Sequence, residues 1–400
     1  MPDRCEAPAV FERAILWVSH PALLWQRVGG MGVLERQLFA AARAGIKSLW
    51  IGVQKPDAAA LAGLRLPPGL DVHWAATGGA TLVECEPPNL GLSGDHFIRV
   101  ETLAHVARQR YPQSVSFDDA SGLGVIQAVL ERDESVSGRR KLPLHESSYR
   151  RLEAPLASDE TISWLMAAGP KGSDGFMARH FDRHISLAIS RRLLDGPVTP
   201  NQMTLLSTSL GILGAAFFLG QTRAAYVPGA LLVWLHSVLD GCDGELARVR
   251  CQESDLGSDL DFWGDNLVHL ALFSCLGIGF WLDGGRVHAL VLAAVADLGV
   301  LASAWTAWQR RLKLRAAAAA PEAGVADEAV GNGLESKLAR LSNALAQRDF
   351  LYLLVVLALV DCVYEFLWAA AIGSLLYFAV MLYLRRVNEH EQARQPDSGR

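Results

Sequence analysis

LDGCDGELARVRCQESDLGSDLDFWGD, residues 239–265, sets six aspartates, two glutamates and two arginines between strongly apolar stretches. The aspartates are Asp240, Asp243, Asp255, Asp259, Asp261 and Asp265. With the leading part helical through Arg248, at about 100° per residue, Asp240, Asp243, Gly244 and Ala247 share one face. Gly257, Asp261 and Asp265 recur at i, i+4 and i+8 and line one face of the following helix. Two antiparallel helices joined by a short connection therefore present four carboxylates to one another. Carboxylates that close repel unless cations hold them together, and hard oxygen ligands suit Mg²⁺, Mn²⁺ or Ca²⁺. An aspartate at the bilayer centre costs on the order of 3 kcal/mol, so these acids must face a polar cavity near the interface. Gly244, Ala247 and Gly257 let a ligand or a partner helix approach the backbone, and Arg248 offers a planar donor suited to phosphate. Asp255 and Asp259 fall outside the pattern and read as solvated loop acids.

The surroundings are those of a membrane protein with a soluble attachment. The chain has 400 residues, 51% of them hydrophobic, and a mean hydropathy of +0.20. Six apolar segments of spanning character follow Asn201, at about 201–220, 225–247, 260–282, 287–309, 349–364 and 365–385. Arg191, Arg192, Arg248, Arg250, Arg310, Arg311, Lys313, Arg315, Arg385 and Arg386 all fall at alternate connections. The positive-inside rule therefore puts both termini and the acidic motif on the cytoplasmic side of the inner membrane. Before the first span, residues 171–199 read as a juxtamembrane amphipathic helix, with Met177, Phe181, Ile185, Ala188 and Ile189 on one face. The stretch 316–333 is low in complexity, and 387–400 is a polar tail. A net charge of −5 without a basic tract argues against a nucleic-acid partner. Six scattered cysteines suggest neither a disulfide framework nor a zinc site, and no cleaved leader is expected.

Residues 1–170 read as a cytoplasmic α/β domain: strand 13–18, helix 32–45 and strand 46–53 have the spacing of a parallel βαβ unit. Shorter strands are expected at 70–75, 80–85 and within 89–98, and a helix over 146–168.

Asp240-x2-Asp243-Gly244-x2-Ala247-Arg248-x8-Gly257-x3-Asp261-x3-Asp265 resembles the signature of the CDP-alcohol phosphotransferase family, with every position filled at the family's spacing. The likeness covers about 171–386, including a Thr199-Pro200-Asn201-Gln202 entry to the first span. It implies a six-helix membrane bundle, over 200–386, that displaces CMP from a CDP-alcohol. The donor would be of CDP-diacylglycerol or CDP-inositol type and the acceptor an alcohol or alcohol phosphate. It implies two Mg²⁺ or Mn²⁺ ions on Asp240, Asp243, Asp261 and Asp265, with Asp265 also taking the acceptor's proton. Thr199, Pro200, Asn201, Gln202, Gly244, Ala247, Arg248, Ser254 and Gly257 fall where the family binds the CDP moiety. Arg179, Arg183 and Arg348 are candidate acceptor contacts, and a homodimer is compatible with the pattern.

Within the N-terminal domain, residues 28–53 and GLSGDHFI (91–98) resemble nucleotidyltransferases of sugar and inositol phosphates, with Asp95 as the corresponding metal ligand. LWVSHPALLWQRVGG (16–30) lacks their glycine-rich, basic phosphate loop, so a degenerate, inactive nucleotidyltransferase fold is expected. The fusion resembles two-domain proteins that make CDP-inositol and join it to a second inositol phosphate, and an active cytidylyltransferase is the alternative. A divalent-cation transporter is a weaker reading: the acids cluster at one interface, no inverted repeat is visible, and Arg248 has no role in it.

Overall fold

The computed structural model describes residues 11–58, 61, 63–75, 88–130, 139–153, 156, 159–167, 177–318 and 350–394. They form two compact units. The first comprises Met1–Gly169, Leu194–Gly196 and Arg248–Gln252, and the second comprises Pro170–Leu193, Pro197–Ala247 and Glu253–Arg400.

The first unit opens with β1 (Arg13–Trp17), a one-turn α1 (Pro21–Leu24), the hairpin β2 (Arg27–Val28) and β3 (Met31–Gly32), and α2 (Val33–Arg43). Then come β4 (Ser48–Gln54), β5 (Asp71–Ala75), β6 (Asn89–Ser93), β7 (His96–Ile98) and α3 (Val100–Arg108). β8 (Val115–Asp118), β9 (Gly124–Val129), β10 (Arg140–Pro143), β11 (Tyr149–Arg151) and α4 (Asp159–Met166) complete it. Seven strands make one sheet in the order β10-β8-β9-β6-β1-β4-β5. β1 pairs in parallel with both β4 and β6, Ile15 standing opposite Trp50 and Gly91, while β9 runs antiparallel to β6 and β8. Ala14, Ile15 and Leu16 are consecutive and all buried, as a strand covered on both faces requires. The βαβ reading is realised in β1, α2 and β4.

One expectation changes here. Residues 146–168 are not one helix: Glu146–Ser148 form a 3₁₀ turn, β11 pairs antiparallel with β7, and only Asp159–Met166 are helical. Tyr149 opposite Ile98 makes a cross-strand pair that a helix would forgo. Residues 16–30, the segment without a phosphate loop, become α1 and the β2–β3 hairpin. Its turn residues Gly29 and Gly30 have φ of 59° and 76°, the left-handed pair a two-residue hairpin needs. The strand expected at 80–85 lies outside the described residues.

The second unit is helical. A π-helical turn, Ala178–Asp182, leads into α5 (Arg183–Leu193). α6 (Pro200–Phe217), α7 (Arg223–Val249), α8 (Asp255–Gly284), α9 (Val287–Ala318), α10 (Phe350–Leu359) and α11 (Val363–Arg394) follow. Five helices are long and apolar enough to cross a membrane, and α10 is a shorter apolar helix of 10 described residues. A sixth full span is thus not found among the described residues, since 10 residues rise about 15 Å against a hydrocarbon core of about 30 Å. The break before α11 falls at Val360–Cys362 rather than at 364/365. Asp361 takes φ of 64° there, and Cys362 N–H returns to Leu357 O at 2.8 Å.

α5 buries its polar side. Ser186 and Ser190 face the protein while Phe181, Ile185 and Ala188, the face read as lipid-seeking, stay exposed. Small residues let the other helices meet. A Cβ on Gly214 would lie 2.8 Å from Gly229 O, and one on Gly277 2.4 Å from Ala293 Cβ, the close packing that membrane helices use in place of a hydrophobic driving force.

Candidate active site

Two helix ends and two helix bodies build the site. α6 starts with a capping box: Gln202 N–H donates to Thr199 Oγ1 at 3.3 Å, and Thr199 N–H to Gln202 Oε1 at 3.0 Å. Pro200 occupies the first turn, where its missing donor is harmless. α8 is capped by Ser254, whose Oγ accepts Gly257 N–H at 3.0 Å. The two beginnings touch, for a Cβ on Gly257 would sit 2.9 Å from Asn201 Oδ1. Thr199, Gln202 and Ser254 therefore already have local work as caps. The juxtaposition brings two positive helix ends together, a setting that favours anionic groups.

The carboxylates come from the next turns. Asp240, Asp261 and Asp265 each offer an oxygen, and these oxygens lie within 4.8 Å of one another. Asp240 is 4% exposed and Asp243 is 6% exposed. Asp243 stands beside the three rather than among them, its Oδ2 accepting the Thr204 hydroxyl from α6. All-oxygen donors at this spacing suit a hard divalent cation. Gly244 and Ala247 are half-buried on the same helix, with Arg248 a turn beyond Gly244.

A cavity of about 450 Å³ opens beside the cluster, between α8, α9, α10 and α11. Asp261 and Asp265 line it at one end, and Phe273, Phe350 and Phe366 are among its apolar walls. Asn266, His269 and Tyr377 add polar points, and Arg311 is the one arginine in its lining among the described residues. Arg183 begins α5 and is not in that lining. Arg348 and the side chain of Arg179 lie outside the described residues.

The reading of Asp255 and Asp259 as loop acids does not hold. Both are in the first turns of α8, and Arg315 of α9 contacts both. Arg311 donates to Ser258 O at 3.0 Å and to Ser258 Oγ at 3.1 Å, with its guanidinium 4.8 Å from the Phe262 ring. Two further residues escaped the sequence reading. Thr204 binds Asp243, and His236 Nε2 lies 3.4 Å from Asp265 Oδ1. His236 precedes Asp240 by one helical turn, which is the only signal that could have found it.

In the first unit, Asp95 sits between β6 and β7, 3.5 Å from His20 Nδ1. Both line a cavity of about 370 Å³ with Trp17, Ser93 and His96. It lies past the carboxyl ends of β1 and β6, a common ligand position in α/β sheets.

Residues 197–376 match the family model for CDP-alcohol phosphatidyltransferase. This stretch is similar to CDP-alcohol phosphatidyltransferases. The matched stretch holds the acidic motif, both capped helix starts and nearly all of the lining of the cavity beside Asp265. A bifunctional IPC transferase and DIPP synthase from Rubrobacter xylanophilus is 38% identical over 145 residues, 35% of this chain and 31% of that protein. One of the same description from Archaeoglobus fulgidus is 38% identical over 224 residues, 52% of this chain and 44% of that protein. The chain thus spans less than half the length of these curated relatives. A solved Mycobacterium tuberculosis phosphatidylinositol phosphate synthase with CDP-DAG bound is 21% identical, with a TM-score of 0.35, covering 50% of this chain and 93% of that one.

Proposed function

We propose that the protein is an integral-membrane CDP-alcohol phosphotransferase, passing a substituted phosphate from a CDP-linked alcohol to a second alcohol and releasing CMP. The observation that carries this is the three-carboxylate cluster of Asp240, Asp261 and Asp265, set against a cavity that Asp261 and Asp265 line. Asp240, Asp243, Asp261 and Asp265 would hold two divalent cations, Mg²⁺ or Mn²⁺, which would neutralise the pyrophosphate when bound. Asn201, Gly244, Ala247, Arg248 and Gly257, with the Thr199–Gln202 and Ser254 caps, form the CDP side of the site. Asp265 takes the proton of the acceptor hydroxyl. The acceptor oxygen then bonds to the phosphorus that carries the donor alcohol, the bond from that phosphorus to the bridging oxygen breaks, and CMP leaves with the electron pair. Arg179, Arg183 and Arg348 remain proposed acceptor contacts. The protein would be multi-pass in the inner membrane, its termini and motif cytoplasmic.

For the first unit we favour a degenerate nucleotidyltransferase domain without activity of its own. The mixed seven-stranded sheet and the position of Asp95 support the kinship, and the hairpin that stands where a phosphate loop would be supports the loss. The cavity holding Asp95 is what favours the bifunctional alternative.

The test is purified protein with CDP-diacylglycerol and a panel of alcohols and alcohol phosphates, following CMP. Release should stop with chelator and return with Mg²⁺ or Mn²⁺. Full release in chelator would overturn the metal-dependent reading.

A further inference from the structure

His236 is 5% exposed on its side chain, and its Nδ1 has no hydrogen-bond partner among the described residues. Packing alone would choose an apolar side chain for such a place, because a buried polar nitrogen left without a partner is penalised. The imidazole is also tightly framed. Gly211 of α6 faces it, and a Cβ there would lie 2.9 Å from His236 Cγ and 2.6 Å from Val268 Cγ2. The glycine thus leaves room at the meeting of α6, α7 and α8 that any larger residue would take from the ring and from Val268. The ring Nε2 lies 3.4 Å from Asp265 Oδ1.

The neighbours on α7 give this contact meaning. His236, Asp240 and Asp243 stand at i, i+4 and i+7 and so share one face. Asp265 comes from α8, and its carboxylate is 28% exposed where it lines the cavity. A carboxylate can turn about two side-chain bonds, and each contact on one oxygen restrains the other. A donor on Oδ1 therefore bears on where Oδ2 points.

We infer that His236 is a positioning residue for Asp265: its Nε2–H donates to Oδ1 and holds the carboxylate in the orientation in which it serves the cation and the acceptor hydroxyl. The inference rests on the transferase reading above. His236 touches no reacting atom. A distance of 3.4 Å is long for such a bond, and contacts of this kind shorten when a site is filled. Groups that orient a metal-binding carboxylate commonly change metal affinity or activity about 10- to 100-fold when removed.

The experiment uses the full chain in lipid nanodiscs. Mn²⁺ binding is followed by the paramagnetic signal of the free ion, and CMP release from CDP-diacylglycerol by kcat and KM. His236→Leu keeps the volume and loses the donor, whereas His236→Gln keeps a donor within reach. The expected result for His236→Leu is Mn²⁺ binding weakened about 10-fold or more, a comparable loss in kcat, and an unchanged KM for donor. His236→Gln should recover most of both, with both variants melting near the parent. Mn²⁺ affinity unchanged in His236→Leu, or equal losses in the two variants, would overturn the inference. Asp240→Asn separates the two levels: if it binds Mn²⁺ as the parent does, the metal reading itself fails, and not merely the role of His236.

Discussion

Arg315 grips Asp259 with both terminal nitrogens, Nη2 at 2.8 Å from Oδ1 and Nη1 at 3.1 Å from Oδ2, and its Nε reaches Asp255 at 3.3 Å. This ties the late turns of α9 to the first turns of α8, two residues before Asp261. A planar fork meeting a carboxylate is directional in a way that a lysine is not.

The expected consequence concerns placement of Asp261. Arg315→Met should lower CMP release on the order of 10-fold, since small displacements of a reacting constellation are expensive, and Arg315→Lys should restore only part of it. Parallel assays at fixed Mg²⁺ check this. Parent-like turnover in Arg315→Met would remove the pair from the account of the site.

Thr204 supplies a second test. Its hydroxyl has two acceptors within reach, Asp243 Oδ2 and Pro200 O, the latter at 3.2 Å, so it links the acidic motif to the start of α6. Thr204→Val keeps the shape and removes the donor. It should raise the Mg²⁺ concentration needed for half-maximal CMP release by about 10-fold, within the usual range for partners of ligating carboxylates. Thr204→Ser should stay near the parent. Equal behaviour of the two variants would mean that the hydroxyl is irrelevant.

Much of this site is legible in the chain because its chemistry is local. Asp240, Asp243, Gly257, Asp261 and Asp265 are placed by helical period alone, and the helices are those the period requires. What escapes is set across helices. Nothing near Asp259 in sequence announces Arg315, 56 residues on, and nothing near Asp243 announces Thr204. The boundary between the last two apolar segments shifts for a related reason: within DCVYE, residues 361–365, it is Asp361 that takes the left-handed turn, and hydropathy does not record backbone dihedrals. In the first unit, β11 depends on its partner β7 about 50 residues earlier, so the local pattern suggested a helix.

Acid should loosen the first unit through His96. Its ring is buried, with Nε2 3.3 Å from Asp119 Oδ2 and Nδ1 2.8 Å from Ser93 Oγ. Burial holds the imidazole below its ordinary 6.5, a pull that Asp119 opposes only in part. The unfolded chain therefore takes up the proton first as pH falls. The stabilisation is complete above about pH 6.5 and is lost as pH drops through the lower, folded-state value. Hydrogen exchange of β6 and β9 in the full chain, corrected for intrinsic rate, should quicken between about pH 7.5 and pH 5.5. His96→Gln should flatten that dependence; a parent-like slope in this variant would assign it to another group.

Asp95 tests the division of labour. Asp95→Ala should leave CMP release nearly unchanged, and the full parent chain given CTP, Mg²⁺ and inositol 1-phosphate should yield no pyrophosphate. Steady pyrophosphate production that disappears in Asp95→Ala would establish the bifunctional alternative.

The most direct test of the central claim is Asp265→Asn, measured in one preparation for CDP-diacylglycerol binding and for CMP release with the acceptor that serves the parent best. The substitution removes the proton acceptor and weakens one of the cluster's oxygens while leaving Asp240, Asp243 and Asp261 in place. The expected result is substantial donor binding with CMP release abolished. Near-parent CMP release from Asp265→Asn would contradict the assignment of the acidic cluster as the transferase centre.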